Sequence, residues 1–476
     1  VSAYVALFFT IIFVFVCNCS FVTTTSNHSR PHTERAMSSM PPPPPLVFGA
    51  EVDGFNKHDS TRTDDASQDL GVLRTNDEAS GAKHCCVQRG YYDDPFVKHF
   101  AKTTPKHPPL INRGYHSRVA TVRAVLDAFL DATFEFDAAG DDGVMPRGDD
   151  GDHQTPIKKS RQIVSLGAGF DTNYFRLNET MMTKDTKQSQ VQLKYVELDF
   201  PSLIETKAKV INATGVLKEI VGTEGLKRIL SASSYSAPRR EPDSCFFSND
   251  ENGEGKSHYF LAGCDLRDVR SLTAALEKTN LDPKAPTLFL SECCLAYLSP
   301  QDAGGVLQWA SRWGRINESK DQSIDTTNDK SHNRNNRNNE YLRTYFAYDP
   351  VVLGPARSDK FGEQMLLNLT ARGCPLLRCE GEGAVFGLDG LTKQFEQSGW
   401  RRVGSIDMLA ATDRLGEDDE PEMRRVMRLE PLDEVEEYRL IQKHYAIVWG
   451  VCRDGDEGGD ADTLEKVISR RTRQAL

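Results

Sequence analysis

The residues of this chain that could do chemistry gather in a few short segments. Gly167-Ala168-Gly169 follows the β-branched run Gln162-Ile163-Val164-Ser165-Leu166 and leads into Phe170-Asp171-Thr172. Glycine has no Cβ and tolerates left-handed backbone, so a ligand can approach such a loop closely. A dinucleotide site would want a third glycine where Thr172 stands, so a ligand without phosphates, such as S-adenosylmethionine, fits the loop better; a tight turn with no ligand is the competing reading. Acids follow at later strand ends. In Glu197-Leu198-Asp199 a carboxylate can accept from both hydroxyls of a ribose. In Cys264-Asp265-Leu266-Arg267-Asp268, Asp265 can accept from an adenine amino group while Leu266 packs on the ring, or it can cap the helix that follows. Glu292, in Ser291-Glu292-Cys293-Cys294, can meet a ligand ammonium, with Tyr297 one turn on. Cys293 and Cys294 offer a nucleophile, but no matched His motif accompanies them and buried cysteines behave as small apolar groups.

These segments need strands to carry them. Short apolar runs end at or beside each one: 162–166, Tyr195-Val196-Glu197-Leu198, Tyr259-Phe260-Leu261-Ala262, Thr287-Leu288-Phe289-Leu290 and Thr344-Tyr345-Phe346-Ala347-Tyr348. Helix-period segments at 202–211 and 266–276 separate them, and late runs at 402–408 and 444–451 bring the expected count to seven. Alternating strand and helix predicts an α/β fold with a mostly parallel, Rossmann-like sheet. Gly/Asp-rich or polar stretches near 136–160, 212–257 (after a short helical piece) and 316–339 are expected to be surface insertions without a core of their own. No repeat of 20 to 50 residues is visible, which excludes propeller and solenoid arrays.

Of the 476 residues, 38% are hydrophobic, which excludes a wholly disordered chain. The net charge of −11 disfavours non-specific binding of the whole chain to nucleic acid or anionic membrane. Eleven cysteines without zinc-ligand spacing predict reduced thiols, no metal site and a cytoplasmic location. Residues 3–16 are almost continuously apolar, the length of a signal-peptide core and short of the roughly 20 residues of a membrane span. No Lys or Arg precedes that run, and Met37 or Met40 could be the natural start, so it is read as an extension or dispensable segment rather than as a working secretory signal. A polyproline stretch at 41–45 and polar sequence to residue 82 complete an expected N-terminal linker. One domain should then occupy 83–451, with an acidic and polar tail at 452–476.

Together these motifs resemble the leucine carboxyl methyltransferase family. The resemblance rests on Tyr91-Tyr92-Asp93-Asp94-Pro95-Phe96, Ile111-Asn112-Arg113-Gly114-Tyr115 with Arg118, the 166–172 loop, Glu197-Leu198-Asp199-Phe200-Pro201, Asp265-Leu266-Arg267-Asp268, Ser291-Glu292-Cys293, Asp359-Lys360-Phe361-Gly362 with Met365, and Ser398-Gly399-Trp400. It implies a seven-stranded methyltransferase sheet with extra N-terminal helices and S-adenosylmethionine as methyl donor. The substrate it implies is the C-terminal leucine carboxylate of the protein phosphatase 2A catalytic subunit, recognised by its tail and active-site surface, with control of holoenzyme assembly as the consequence. The cofactor residues it implies are Lys83, Arg118, Gly167, Asp199, Asp265, Leu266 and Glu292, to which the loop reading adds Gly169. Arg118 and Tyr297 are the expected catalytic residues, and Asp359 to Met365 is a further substrate-side candidate, with core or lid packing as its alternative. A monomer is expected. The alternatives are a carboxyl methyltransferase of wybutosine synthesis in tRNA, whose appended propeller has no visible counterpart here, and a non-catalytic binding protein.

Overall fold

The computed structural model describes residues 60–132, 159–183, 191–222, 224–228, 245–249, 258–314, 342–355, 358–418 and 420–453. The apolar N-terminal run, the polyproline stretch, the stretches 136–158 and 316–339 and the acidic tail therefore lie outside the described residues. Among the described residues, no helix is long and apolar enough to cross a membrane, and none of the nine cysteines is in a disulfide.

The seven expected strands all form. They are β1 (Lys159–Leu166), β2 (Val191–Asp199), β5 (Tyr259–Gly263), β6 (Thr287–Glu292), β7 (Leu342–Pro350), β8 (Val403–Asp407) and β9 (Tyr445–Arg453). Two short strands, β3 (Lys227–Arg228) and β4 (Phe246–Ser248), extend the sheet to nine, in the order β3-β4-β5-β2-β1-β6-β7-β9-β8. The five central strands run parallel, while β4, β9 and their outer neighbours pair antiparallel. Successive residues point to opposite faces, so Ile163 and Val164, both fully buried, serve two separate cores. That is why these strands read as continuous apolar runs: both faces are covered by helices. One face carries α1 (Ser60–Gln88), α2 (Pro109–Asp131), α3 (Asn173–Thr183) and α4 (Pro201–Ala213). The other carries α6 (Val269–Glu277), α7 (Pro300–Ser311) and α9 (Gly387–Gln397).

Four expectations need correction. The expected strand count of seven omits β3 and β4, which lie inside the stretch 212–257. That stretch is not wholly peripheral: α5 (Gly215–Val221) buries Leu217 and Val221, and β4 buries Phe246 and Phe247. Strands of two and three residues are too short to show an alternating pattern. The boundary at residue 83 falls inside α1, a helix of 29 residues that begins at Ser60. Its apolar residues form no continuous stripe along its length that would mark it as a folded element. Finally, the helix expected from Leu266 starts at Val269, because the Asp268 side chain accepts from the Arg270 N–H and caps it. Asp265 is therefore not the cap.

Candidate active site

The sheet order reverses at β1, whose neighbours β2 and β6 lead to opposite edges. At such a switch point the loops leaving adjacent strands diverge, and a crevice opens at the carboxyl ends. A cavity lies there, and nine of the sequence-derived candidates line it: Lys83, Arg118, Gly167, Gly169, Asp199, Asp265, Leu266, Glu292 and Tyr297.

The loop after β1 has the backbone that its glycines allow. Gly167 has φ 64° and Gly169 φ 49°, both in the left-handed region that costs an L side chain energy. Gly167 also packs against the β6 end, where a Cβ would stand 2.5 Å from the Cys294 Sγ. Asp199 holds this loop: its Oδ2 accepts the Gly169 N–H at 2.6 Å and its Oδ1 the Phe200 N–H at 2.7 Å. Burial raises the Asp199 pKa, and these two donors oppose the rise. Each carboxylate oxygen has a second lone pair, so acceptor capacity toward a ribose remains. Glu197 has a different part. It is fully buried in an ion pair with Lys207 of α4 and does not line the cavity.

Asp265 is ion-paired with Arg267 at 2.8 Å, and the same guanidinium reaches Asp69 of α1 at 3.0 Å. At the other end of the cavity Glu292 is gripped by two cations, Lys83 at 3.1 Å and Arg118 through its Nε. Burial alone would raise the Glu292 pKa, but Arg118 and Lys83 outweigh it and hold the carboxyl down to about 2. Arg118 is sandwiched by aromatics, its guanidinium carbon 5.3 Å from the Tyr348 ring centre and 5.6 Å from that of Tyr115.

The turn after β6 carries Tyr297. Cys293 takes φ 53°, an unusual conformation for a residue with a Cβ, and its N–H donates to the Tyr348 carbonyl at 2.6 Å. Asp349 then accepts the Cys294 N–H at 3.0 Å while pairing with buried Arg378 at 3.1 Å. Burial pushes the Cys293 thiol up to about 12, against the pull of Arg118, so it is protonated at neutral pH and a poor nucleophile. Burial also raises the Tyr297 phenol. The Asp359 to Met365 segment is not part of the cavity wall. Asp359 caps α8 (Lys360–Ala371) through the Gly362 N–H and meets His444 at 3.1 Å, while Met365 is core.

Sequence reasoning missed Asp69, Asn76, Tyr348, Tyr445 and Asp349. The aromatics sit in strands that read as core, and Asp69 and Asn76 sit in a helix that read as linker.

Residues 75–311 match the family model described as leucine carboxyl methyltransferase. The chain is 30% identical over 385 residues to the leucine carboxyl methyltransferase 1 homolog of Arabidopsis thaliana, covering 81% of this chain and 90% of that protein. The chain belongs to the leucine carboxyl methyltransferase family. It is 27% identical to leucine carboxyl methyltransferase 1 of Bos taurus, over 83% of this chain and 93% of the relative. It is also 30% identical to tRNA wybutosine-synthesizing protein 4 of Homo sapiens, over 79% of this chain but 43% of that protein. Among solved structures, Haemonchus contortus phosphoethanolamine N-methyltransferase 2 with S-adenosyl-L-methionine is 10% identical, covering 62% of this chain and 49% of that one at a TM-score of 0.28. The protein is thus a leucine carboxyl methyltransferase by family, and the donor set fits S-adenosylmethionine. The cavity offers carboxylates, which can accept from hydroxyls and amines, and the cations Lys83 and Arg118, which can pair with a carboxylate.

Proposed function

We propose that this protein methylates the C-terminal leucine α-carboxylate of the protein phosphatase 2A catalytic subunit, in the cytoplasm, and thereby controls assembly of the phosphatase holoenzyme. The observation that carries the reading is the cation pair: Lys83 and Arg118 converge on one carboxylate, Glu292, inside the cavity. The substrate presents that same chemical group.

Bound S-adenosylmethionine supplies an electrophilic methyl group on a sulfonium. A C-terminal carboxyl has a pKa near about 3.5 and is already ionised at neutral pH, so no side chain need act as base. The protein's task is to orient and to exclude water. Arg118 is suited to fix the incoming carboxylate because its planar fork offers donors in a rigid array. It does so while its stacking on Tyr115 and Tyr348 restrains it. Tyr297, kept protonated by burial, can donate its O–H to the same carboxylate. Asp199 and Asp265 hold the ribose and adenine, with Leu266 on the ring, and Glu292 receives the donor's ammonium. Two cations fixed on the substrate carboxylate would stabilise its ground state and oppose transfer, so Lys83 is assigned to the donor's own carboxylate.

The identity to the human wybutosine-synthesizing protein supports a second reading, in which the carboxylate belongs to a modified tRNA. The net charge of −11 weighs against it, since an acidic chain repels a polyanion. The test is methyl transfer from labelled donor to purified phosphatase catalytic subunit, to the same subunit lacking its last leucine, and to tRNA carrying the wybutosine precursor. Label only in the intact subunit is expected. Label in the tRNA selects the second reading, and no transfer to either makes this a non-catalytic binding protein.

A further inference from the structure

Helix α1 runs along the cavity, and three of its residues touch three different strand ends. Asp69, Asn76 and Lys83 follow at seven-residue intervals, about 20° short of two turns each, so they share one face at steps of about 10 Å. Asp69 reaches the Arg267–Asp265 pair beyond β5, and Lys83 reaches Glu292 at the end of β6. Asn76 stands between them, opposite the loop after β1. Its Oδ1 accepts the Phe170 N–H at 2.7 Å. A backbone N–H can only donate, so this contact fixes the carboxamide and leaves Nδ2 as the remaining donor. That Nδ2 is buried without a hydrogen-bond partner among the described residues, in a side chain that lines the cavity. Buried donors are rarely left unmade, because nothing repays their lost hydration.

The neighbouring loop residue identifies what the donor would meet. Gly169 gives its N–H to Asp199 while Phe170 gives its own to Asn76, so the Asn76 amide and the Asp199 carboxylate flank the same two residues. A group lying there meets an acceptor on one side and a donor on the other. A hydroxyl satisfies both at once, whereas an ammonium or a carboxylate satisfies one. We propose that Asn76 Nδ2 donates to a ribose hydroxyl oxygen of the bound methyl donor whose other partner is Asp199. This adds to the cofactor site a second residue of α1, which stands between the helix's two ion pairs. The inference rests on the S-adenosylmethionine reading of the cavity and not on the identity of the methyl acceptor.

Calorimetry with the full chain tests it, using S-adenosylhomocysteine and its 2′,3′-dideoxy analogue, with thermal unfolding of each ligand-free variant as the check on folding. Asn76→Asp keeps an oxygen for the Phe170 N–H and removes the donor. It should bind S-adenosylhomocysteine at least about fivefold more weakly than wild type, the loss of one hydrogen bond, yet match wild type within about twofold on the analogue. Asn76→Ala also gives up the loop contact, so it should weaken both ligands, S-adenosylhomocysteine the more. Equal losses on both ligands, or an Asn76→Asp variant with wild-type affinity, overturn the proposal. A wild type that binds neither ligand overturns the cofactor reading itself.

Discussion

Glu292 is held by two cations that are also the candidates for gripping carboxylates. The carboxyl therefore sets the position of both in the ligand-free protein, and its charge is bound to the folded state. Its folded pKa of about 2 lies below the unfolded value near about 4.3. The stability it contributes is fully present above about pH 4.3 and is lost as the pH falls through about 2. Glu292→Gln should therefore be less stable than wild type at neutral pH, and the gap should close as the pH is lowered across that interval. Urea midpoints of both proteins at stepped pH measure this directly; a gap that stays constant means that the two cations do not depress the carboxyl. The residue types at this site were legible in the sequence because glycines after a strand and acids at later strand ends are local features. The pairing was not, since Lys83 and Arg118 meet Glu292 from positions about 200 and about 170 residues away.

At the scale of elements, the strands were legible and α1 was not, for a physical reason. β1, β2, β5, β6 and β7 are buried on both faces and advertise themselves as apolar runs. Helix α1 is seated by small residues and ion pairs instead: Gly71 packs against the Gly373 carbonyl, a Cβ on Gly81 would stand 2.7 Å from the Thr103 carbonyl, and Glu78 pairs with Arg372 at 2.8 Å. A similar polar joint ties β2 to α4. Glu197 and Lys207 are both 0% exposed; Tyr259 donates its O–H to Glu197 at 3.1 Å, and Lys207 also donates to the Asp171 carbonyl at 2.7 Å. The pair thus braces the stretch that follows the glycine loop. Burial pushes the Glu197 pKa up to about 7, against the pull of Lys207, so its charge depends on that partner. Lys207→Met should cost about 3–5 kcal/mol, because the buried Glu197 must then stay ionised without a partner or take up a proton to fold, and the double variant with Glu197→Gln should recover most of it. Urea unfolding of the two variants decides, and a double variant no more stable than the single one refutes the pairing as the cause.

For the whole molecule, the sheet and the cavity at its switch point follow from the alternation of strands and helices, but closure of the cavity does not. The parallel strands supply one wall through Gly167, Asp199, Asp265 and Glu292, and α1 supplies the wall opposite through Asp69, Asn76 and Lys83. The two walls come from distant parts of the chain, since Asp69, Asn76 and Lys83 each meet a strand end about 90 or more positions later. A boundary at residue 83 would divide α1, which begins at Ser60. A chain beginning at residue 60 keeps all of α1 and should bind S-adenosylhomocysteine within about twofold of the full chain. One beginning at residue 83 keeps the sheet and its two cores but loses Asp69 and Asn76. Two or three lost contacts at about 1 kcal/mol or more each, with solvent admitted to the remaining charges, should weaken binding by about a hundredfold. Calorimetry on both chains reads the difference, with far-UV circular dichroism and a cooperative melt to establish that the shorter one folds. Equal affinities in two folded chains would mean that the strand ends bind the ligand unaided and that α1 is only a cover.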